Sequence, residues 1–204
     1  MSDPSRTPGF REALTEALKK IKRLQEREAR LRAEPIAVVS MACRYPGGVT
    51  SPEDLWRLVQ EGKDAVTEIP ATRFDVNTYF DADPDAAGKM YSRWGGFVED
   101  VDQFEPSFFG ISPREARRMD PQERLLLECT WELFERAGVL PLELAGSATG
   151  VYLGLSSNDY LYLDGMNEEN VDAYSVLGTV HSAMSGRLSY WLGLQGPNFP
   201  VDTA

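Results

Sequence analysis

The chain is poor in the side chains that carry most acid–base, metal and redox chemistry. Among 204 residues there is one histidine, His181, and there are two cysteines, Cys43 and Cys129. The cysteines have no metal-ligand spacing, and so few thiols fit a protein of a reducing cytoplasm. His181 sits among small residues with no nucleophile at readable spacing, so it reads as a structural residue rather than a base. Cys43 and Cys129 read as small apolar side chains. No apolar run approaches the roughly 20 residues that cross a bilayer. The opening MSDPSRTPGF lacks the basic-then-apolar layout of a secretory signal. Repeats and low-complexity tracts are absent. Gly47-Gly48 and Gly95-Gly96 fit no phosphate-cradling pattern. Asp81, Asp83 and Asp85 lack the glycine and closing glutamate of a calcium loop and read as a solvated turn. A metal site, a directly bound cofactor and a disulfide framework are therefore not expected.

Positive charge is also scarce. The net charge is -11, and it is unevenly spread. Residues 10–34 hold eight Lys/Arg against five Asp/Glu, whereas residues 35–204 hold twelve against twenty-six. A mildly basic arm thus precedes a strongly acidic body, which repels nucleic acid and anionic membrane. With 42% hydrophobic and 26% charged residues, the chain is otherwise an ordinary globular sequence.

The organisation follows from punctuation and period. Residues 1–9, with Pro4, Pro8 and Gly9, are expected to be disordered. Residues 10–33 contain no proline or glycine and are rich in helix formers. Phe10, Leu14, Ala17, Ile21, Leu24, Glu28 and Leu31 alternate spacings of four and three, a heptad seam with Leu14, Ile21 and Glu28 at the a positions. A lone helix of this length is marginal, so a short parallel dimer is favoured over an amphipathic helix folded back on the body. Pro35 ends the helix. Ile36 to Val39 reads as a strand buried on both faces. Three helix starts share one design: Ser51-Pro52, Ser112-Pro113 and Asp120-Pro121 each pair a capping side chain with a proline at the first helical position. Gly62 and Gly138 suit the left-handed position after the first and third of these helices. Leu125, Leu126, Cys129, Leu133 and Phe134 are the expected inner face of the third. Residues 63–111 read as an ordered, aromatic-rich cover with little regular structure. Thr149 to Leu155 is a second buried strand, 156–174 a polar loop, Val176 to about Leu192 one helix, and Phe199 to Val201 a third strand. Strands alternating with helices indicate an α/β fold.

Glu34 through Gly48, the first of several stretches in unbroken order, is similar to the opening of type I polyketide ketosynthases. Ser51-Pro52-Glu53-Asp54-Leu55-Trp56, Arg73-Phe74-Asp75, Gly95-Gly96-Phe97 and Phe108 through Ala116 follow in family order. Met119 through Glu128 resembles the best-known internal signature. Ser185-Gly186-Arg187-Leu188-Ser189-Tyr190 and Gly193 through Pro197 then lead to Val201-Asp202-Thr203-Ala204. In the family V-D-T-A immediately precedes the cysteine nucleophile. Ser40, where glycine is usual, and His181, where a smaller residue is common, depart from the pattern without touching this lead-in.

The resemblance implies a thiolase-like αβαβα ketosynthase, of which residues 34–204 are the N-terminal part, preceded by a coiled-coil docking helix at 10–33. It implies a decarboxylative condensation of an acyl chain with a malonyl-type extender, carried on the phosphopantetheine of an acyl carrier protein. It also implies a homodimer and an upstream synthase polypeptide bound through the N-terminal coil. The family's cysteine and two histidines map beyond Ala204, so no catalytic residue lies in the chain and the chain alone is expected to be inactive. Two rival readings are a standalone dimerising or docking module, and a ketosynthase of a fatty acid synthase. The coil argues against the latter, because an animal-type fatty acid synthase has no upstream polypeptide to dock.

Overall fold

The computed structural model describes residues 8–165 and 173–202. The chain divides into two units, residues 1–39 and 40–204. The first holds helix α1, Pro8–Ala33, 26 residues long. It takes in Pro8 and Gly9, which the sequence assigned to a disordered start; a proline is tolerated in a first helical turn because its missing N–H has no helical partner there. Exposed ion pairs Lys19–Glu16, Lys22–Glu26 and Arg32–Glu28 run along it at helical spacing. Residues 36–39 are not a strand. Ile36, Val38 and Val39 are 93%, 75% and 79% exposed. An apolar run becomes a strand only when a neighbour takes up its backbone groups, and no described strand pairs with this one.

The second unit begins with a loop tied by Arg44. Its guanidinium pairs with Glu132 and donates to the Thr50 carbonyl at 3.0 Å. Helix α2, Pro52–Glu61, starts as expected: the Ser51 hydroxyl accepts the Asp54 N–H at 3.1 Å, and Gly62 ends the helix in the left-handed region. Strands β1 (Val66–Glu68) and β2 (Trp94–Gly96) form a small antiparallel ribbon. Between them lie the short helix α3, Val76–Tyr79, and a turn in which Asp81 and Asp83 accept the N–H groups of Asp83 and Asp85. These carboxylates serve their own backbone. The aromatic cover is packed in one part and open in another. Phe104 stacks on Phe109 at 5.3 Å, Phe108 meets Trp131 at 4.8 Å and Phe109 meets Trp191 at 5.0 Å, whereas Tyr91 and Trp94 stay exposed.

Helices α4 (Pro113–Arg118) and α5 (Pro121–Ala137) follow with the expected caps from Ser112 and Asp120, and Gly138 closes α5. The expected inner face of α5 is a quarter-turn off. Leu125, Leu126, Cys129, Leu133 and Phe134 are only half-buried; Glu123 and Leu127 are the buried pair. Leu127 joins Ile111, Ala116, Met119 and Leu188 in the core, with Val151 and Leu153 packed against it.

Strand β3, Val151–Gly154, is shorter than expected, half-buried on one face and exposed on the other. Residues 160–165, expected as loop, form helix α6 (Tyr160–Gly165); the rest of that loop includes residues 166–172, outside the described residues. The single helix expected from Val176 to Leu192 is two: α7, Ala173–Leu177, and α8, His181–Leu192. Gly178 explains the break. A Cβ there would lie 2.2 Å from the Arg118 carbonyl oxygen. The Gly178 carbonyl in turn accepts the Asp120 N–H at 2.7 Å. The chain thus leaves helical geometry to seat its backbone against the α4–α5 junction. Strand β4, Asn198–Val201, then pairs with β3 in parallel.

Candidate active site

The element to locate is the stretch that ends in Val201-Asp202-Thr203-Ala204. It is built from three parts: β3, α8 and β4. Met184, Leu188 and Leu192 recur every four residues along α8 and are all buried. They hold the helix against the sheet. Gly193 ends α8 in the left-handed region, with φ of 65°. The chain then zips back along the entry to β3: Gly146 N–H donates to the Gly193 carbonyl, Gln195 N–H to the Ser147 carbonyl, and Val151 N–H to the Pro197 carbonyl, at 2.8 to 2.9 Å. Gly196 is required here, since a Cβ would lie 2.3 Å from the Thr149 carbonyl oxygen.

From this turn β4 runs beside β3 with Val151 opposite Asn198, Tyr152 opposite Phe199, Leu153 opposite Pro200 and Gly154 opposite Val201. Leu155 N–H donates to the Val201 carbonyl at 3.0 Å. The backbone groups of residues 197, 199 and 201 therefore face β3. Pro200, which has no N–H, falls on the side turned away, where a missing donor leaves the ladder intact. Tyr152 and Phe199 stack at 5.9 Å on the exposed face. Asn198 anchors the start of the strand: its Nδ2 donates to the Ser185 carbonyl at 2.7 Å and to Ser189 Oγ at 2.6 Å. Of the lead-in residues, Val201 ends β4 and Asp202 follows it. Thr203 and Ala204 lie outside the described residues.

Behind the sheet, α8 is tied to α4 and α5 by charge. Arg187 donates from Nε to Glu123 Oε1 and from Nη1 to Glu115 Oε1, each at 2.6 Å. Glu123 is 1% exposed, and its Oε2 has no hydrogen-bond partner among the described residues. Burial pushes its carboxyl up to about 7, against the pull of Arg187; the nearby Glu115 and Asp120 carboxylates add to the rise. Sequence reasoning missed this cluster. The signal was available: Glu123 stands one helical turn before the core residue Leu127, on the face where a charge needs a partner.

The other candidates lie apart from the lead-in. His181 opens α8, with Nε2 3.1 Å from the Ser157 carbonyl. Cys43 lies in the Arg44 loop and Cys129 within α5, both half-buried and free. Burial raises both thiols above their ordinary value, which keeps them protonated. Among the described residues no group of three or more His, Cys, Asp or Glu is arranged to hold a metal ion, and no helix is long and apolar enough to cross a membrane. On α1, Leu14, Ile21 and Leu24 are half exposed and Ala17 is exposed; Phe10 and Leu31 lie within the same helix.

A family model described as the beta-ketoacyl synthase N-terminal domain matches residues 33–204. The chain belongs to the beta-ketoacyl synthase family. The mycoketide-CoA synthase of Mycobacterium tuberculosis is 50% identical over 197 residues, which is 95% of this chain and 5% of that protein. The spectinabilin polyketide synthase system protein NorC of Streptomyces orinoci is 53% identical over 188 residues, 89% of this chain and 8% of its own length. Among solved structures, an oxazolomycin ketosynthase domain of Streptomyces albus superposes with a TM-score of 0.74 at 38% identity. It covers 81% of this chain and 28% of that one. The ketosynthase from module 6 of the Bacillus subtilis bacillaene synthase gives a TM-score of 0.69 at 34% identity, over 82% of this chain and 26% of its own. The chain thus has the thiolase-like ketosynthase fold over its body, and it spans under a tenth of these curated beta-ketoacyl synthase relatives and under a third of the solved domains.

Proposed function

We propose that residues 34–204 are the N-terminal part of a modular polyketide synthase ketosynthase, and that β4 is the strand that delivers its nucleophile. The observation that carries this reading is the placement of Val201: it ends a strand paired to β3 and anchored to α8, and Asp202-Thr203-Ala204 follow it in the sequence. A strand that ends at a helix start presents the next side chain where the helix dipole lowers a thiol's pKa. In the reaction we assign, that thiolate attacks an acyl thioester on a carrier's phosphopantetheine, forming an acyl-enzyme and releasing the carrier thiol. A malonyl-type extender then loses carbon dioxide, and its carbanion attacks the acyl-enzyme carbonyl. The new carbon–carbon bond forms and the enzyme thiolate leaves. This chain's residues supply the scaffold for the nucleophile, and the acid–base groups belong to the rest of the domain. The partners are an acyl carrier protein, a second copy of the chain and an upstream synthase polypeptide, the last two through α1. The compartment is the cytoplasm.

Two polypeptides test this: the 204-residue chain and one extended through the complete ketosynthase. Each is incubated with an acyl thioester and weighed by intact mass. The extended protein should gain one acyl group on the residue after Ala204. The chain alone should gain none, because Cys43 and Cys129 are protonated and half-buried; stoichiometric acylation of either thiol would overturn the assignment. A second reading, a standalone dimerising or docking module, draws on α1 forming a unit of its own with a half-exposed seam. It gains if the 204-residue chain binds an upstream synthase terminus while the extended protein is never acylated.

A further inference from the structure

β4 is a weak strand by itself. It is four residues long, contains a proline, and among the described residues pairs in parallel with β3 alone. Parallel ladders are slightly less stable per residue than antiparallel ones, and sheets of this kind are normally covered on both faces. Its outward side chain, Phe199, remains about half exposed. Apolar packing is non-directional and tolerates sliding. A slip of one residue would move β4 by about 3.3 Å and turn every side chain to the other face. The ladder to β3 fixes its register on that strand, and a directional contact to α8 is what can fix its height along the helix.

We propose that Asn198 is that device, a positioning residue for the nucleophile. It stands at the first position of β4, three residues before Val201. Its carboxamide reaches sideways into the body of α8, to the Ser185 carbonyl and Ser189 Oγ. Ser185 is fully buried, and Ser189 lies one turn further along the same face. The two acceptors therefore belong to the rigid middle of a packed helix and not to a mobile end. Two bonds from one planar amide fix both where β4 starts along α8 and how it is rotated. Everything downstream in the strand inherits that setting, including the point at which Val201-Asp202-Thr203-Ala204 hands over to the next residue. Reaction geometry is unforgiving at this scale: a misplacement of about 1 Å can cost about 100-fold in rate.

This inference rests on β4 being the nucleophile's lead-in. The test uses the complete ketosynthase, as wild type, Asn198→Ala, Ser189→Ala and the double variant. Self-acylation by an acyl thioester gives kcat and KM, and the pH profile of iodoacetamide alkylation gives the titration of the reactive thiol. Asn198→Ala should lower the acylation kcat about 100-fold with KM unchanged, and shift the alkylation midpoint. Ser189→Ala should lose less, and the double variant should lose no more than Asn198→Ala, because Ser189 acts through Asn198. Wild-type kcat and an unmoved alkylation profile in folded Asn198→Ala would overturn the inference alone. If Asn198→Ala does not fold, Ser189→Ala decides, and an unaltered kcat there overturns it equally. A wild type that is never acylated overturns the reading of β4 and this inference with it.

Discussion

Glu123 gives the stability of this chain a pH dependence opposite to that of an ordinary salt-bridged carboxylate. Its carboxyl is raised from 4.5 to about 7 by burial, outweighing Arg187, with Glu115 and Asp120 adding negative charge. The folded state therefore holds this proton more tightly than the unfolded chain does. Between about pH 4.5 and 7 the native state binds more protons, so stability falls as pH rises through that window, and is level on either side of it. The whole change is on the order of 3 kcal/mol, at 1.36 kcal/mol per tenfold in the binding constant. Between about pH 5.5 and about pH 8 it amounts to roughly 2 kcal/mol, a large share of a margin of about 5–15 kcal/mol. Trp131 and Trp191, packed 6.1 Å apart beside this core, report unfolding by fluorescence in urea. Subtracting the Glu123→Gln curve from that of wild type isolates the one group, since glutamine keeps an acceptor for Arg187 Nε and cannot titrate. The difference should run downward by roughly 2 kcal/mol from the acid to the alkaline condition. A flat difference, or one that rises with pH, refutes the argument that burial outweighs the Arg187 contact.

Three further outcomes follow from particular contacts. Gly178→Ala places a Cβ against the Arg118 carbonyl, where backbone on both sides must shift, and should cost at least about 2 kcal/mol, or roughly 4–8 °C in Tm, by differential scanning fluorimetry. Ile21→Asp with Leu24→Asp puts charge on adjacent seam positions and should abolish the concentration-dependent helicity of a peptide of residues 1–34 in circular dichroism, at a cost of several kcal/mol per dimer; a wild-type peptide with no concentration dependence would favour the fold-back reading. The apolar side chains exposed in each unit, Ile36, Val38 and Val39 in the first and Tyr152 and Phe199 in the second, should make the 204-residue chain bind an apolar dye and self-associate in size exclusion, whereas the complete ketosynthase should not. A monodisperse chain without dye binding would show that this surface needs no cover.

Local chemistry decided a good deal of this protein before any folding. A Ser or Asp followed by Pro closes orphan N–H groups within four residues, so Ser51, Ser112 and Asp120 act as caps wherever the helices pack. Gly62, Gly138 and Gly193 end helices because a left-handed residue without a Cβ costs little anywhere. The order of motifs from Glu34 to Ala204 likewise carried the family, since each motif is a run of neighbours. Tertiary structure decided what depends on a partner distant in sequence. Ile36–Val39 has the composition of a strand, but no described strand takes its hydrogen bonds. The helix expected from Val176 breaks at Gly178 because Arg118 and Asp120 lie against it. The buried face of α5 is set by α8, so Glu123 rather than Leu126 or Cys129 goes inside, where Arg187 waits. Nothing in the sequence singled out Asn198, and its two bonds to α8 exist only once the chain has turned through Gly196 to lay β4 along β3. Periodicity and caps are properties of a few successive residues and can be read in order; pairing, desolvation and register are properties of surfaces that meet, and they appear only when the chain has folded.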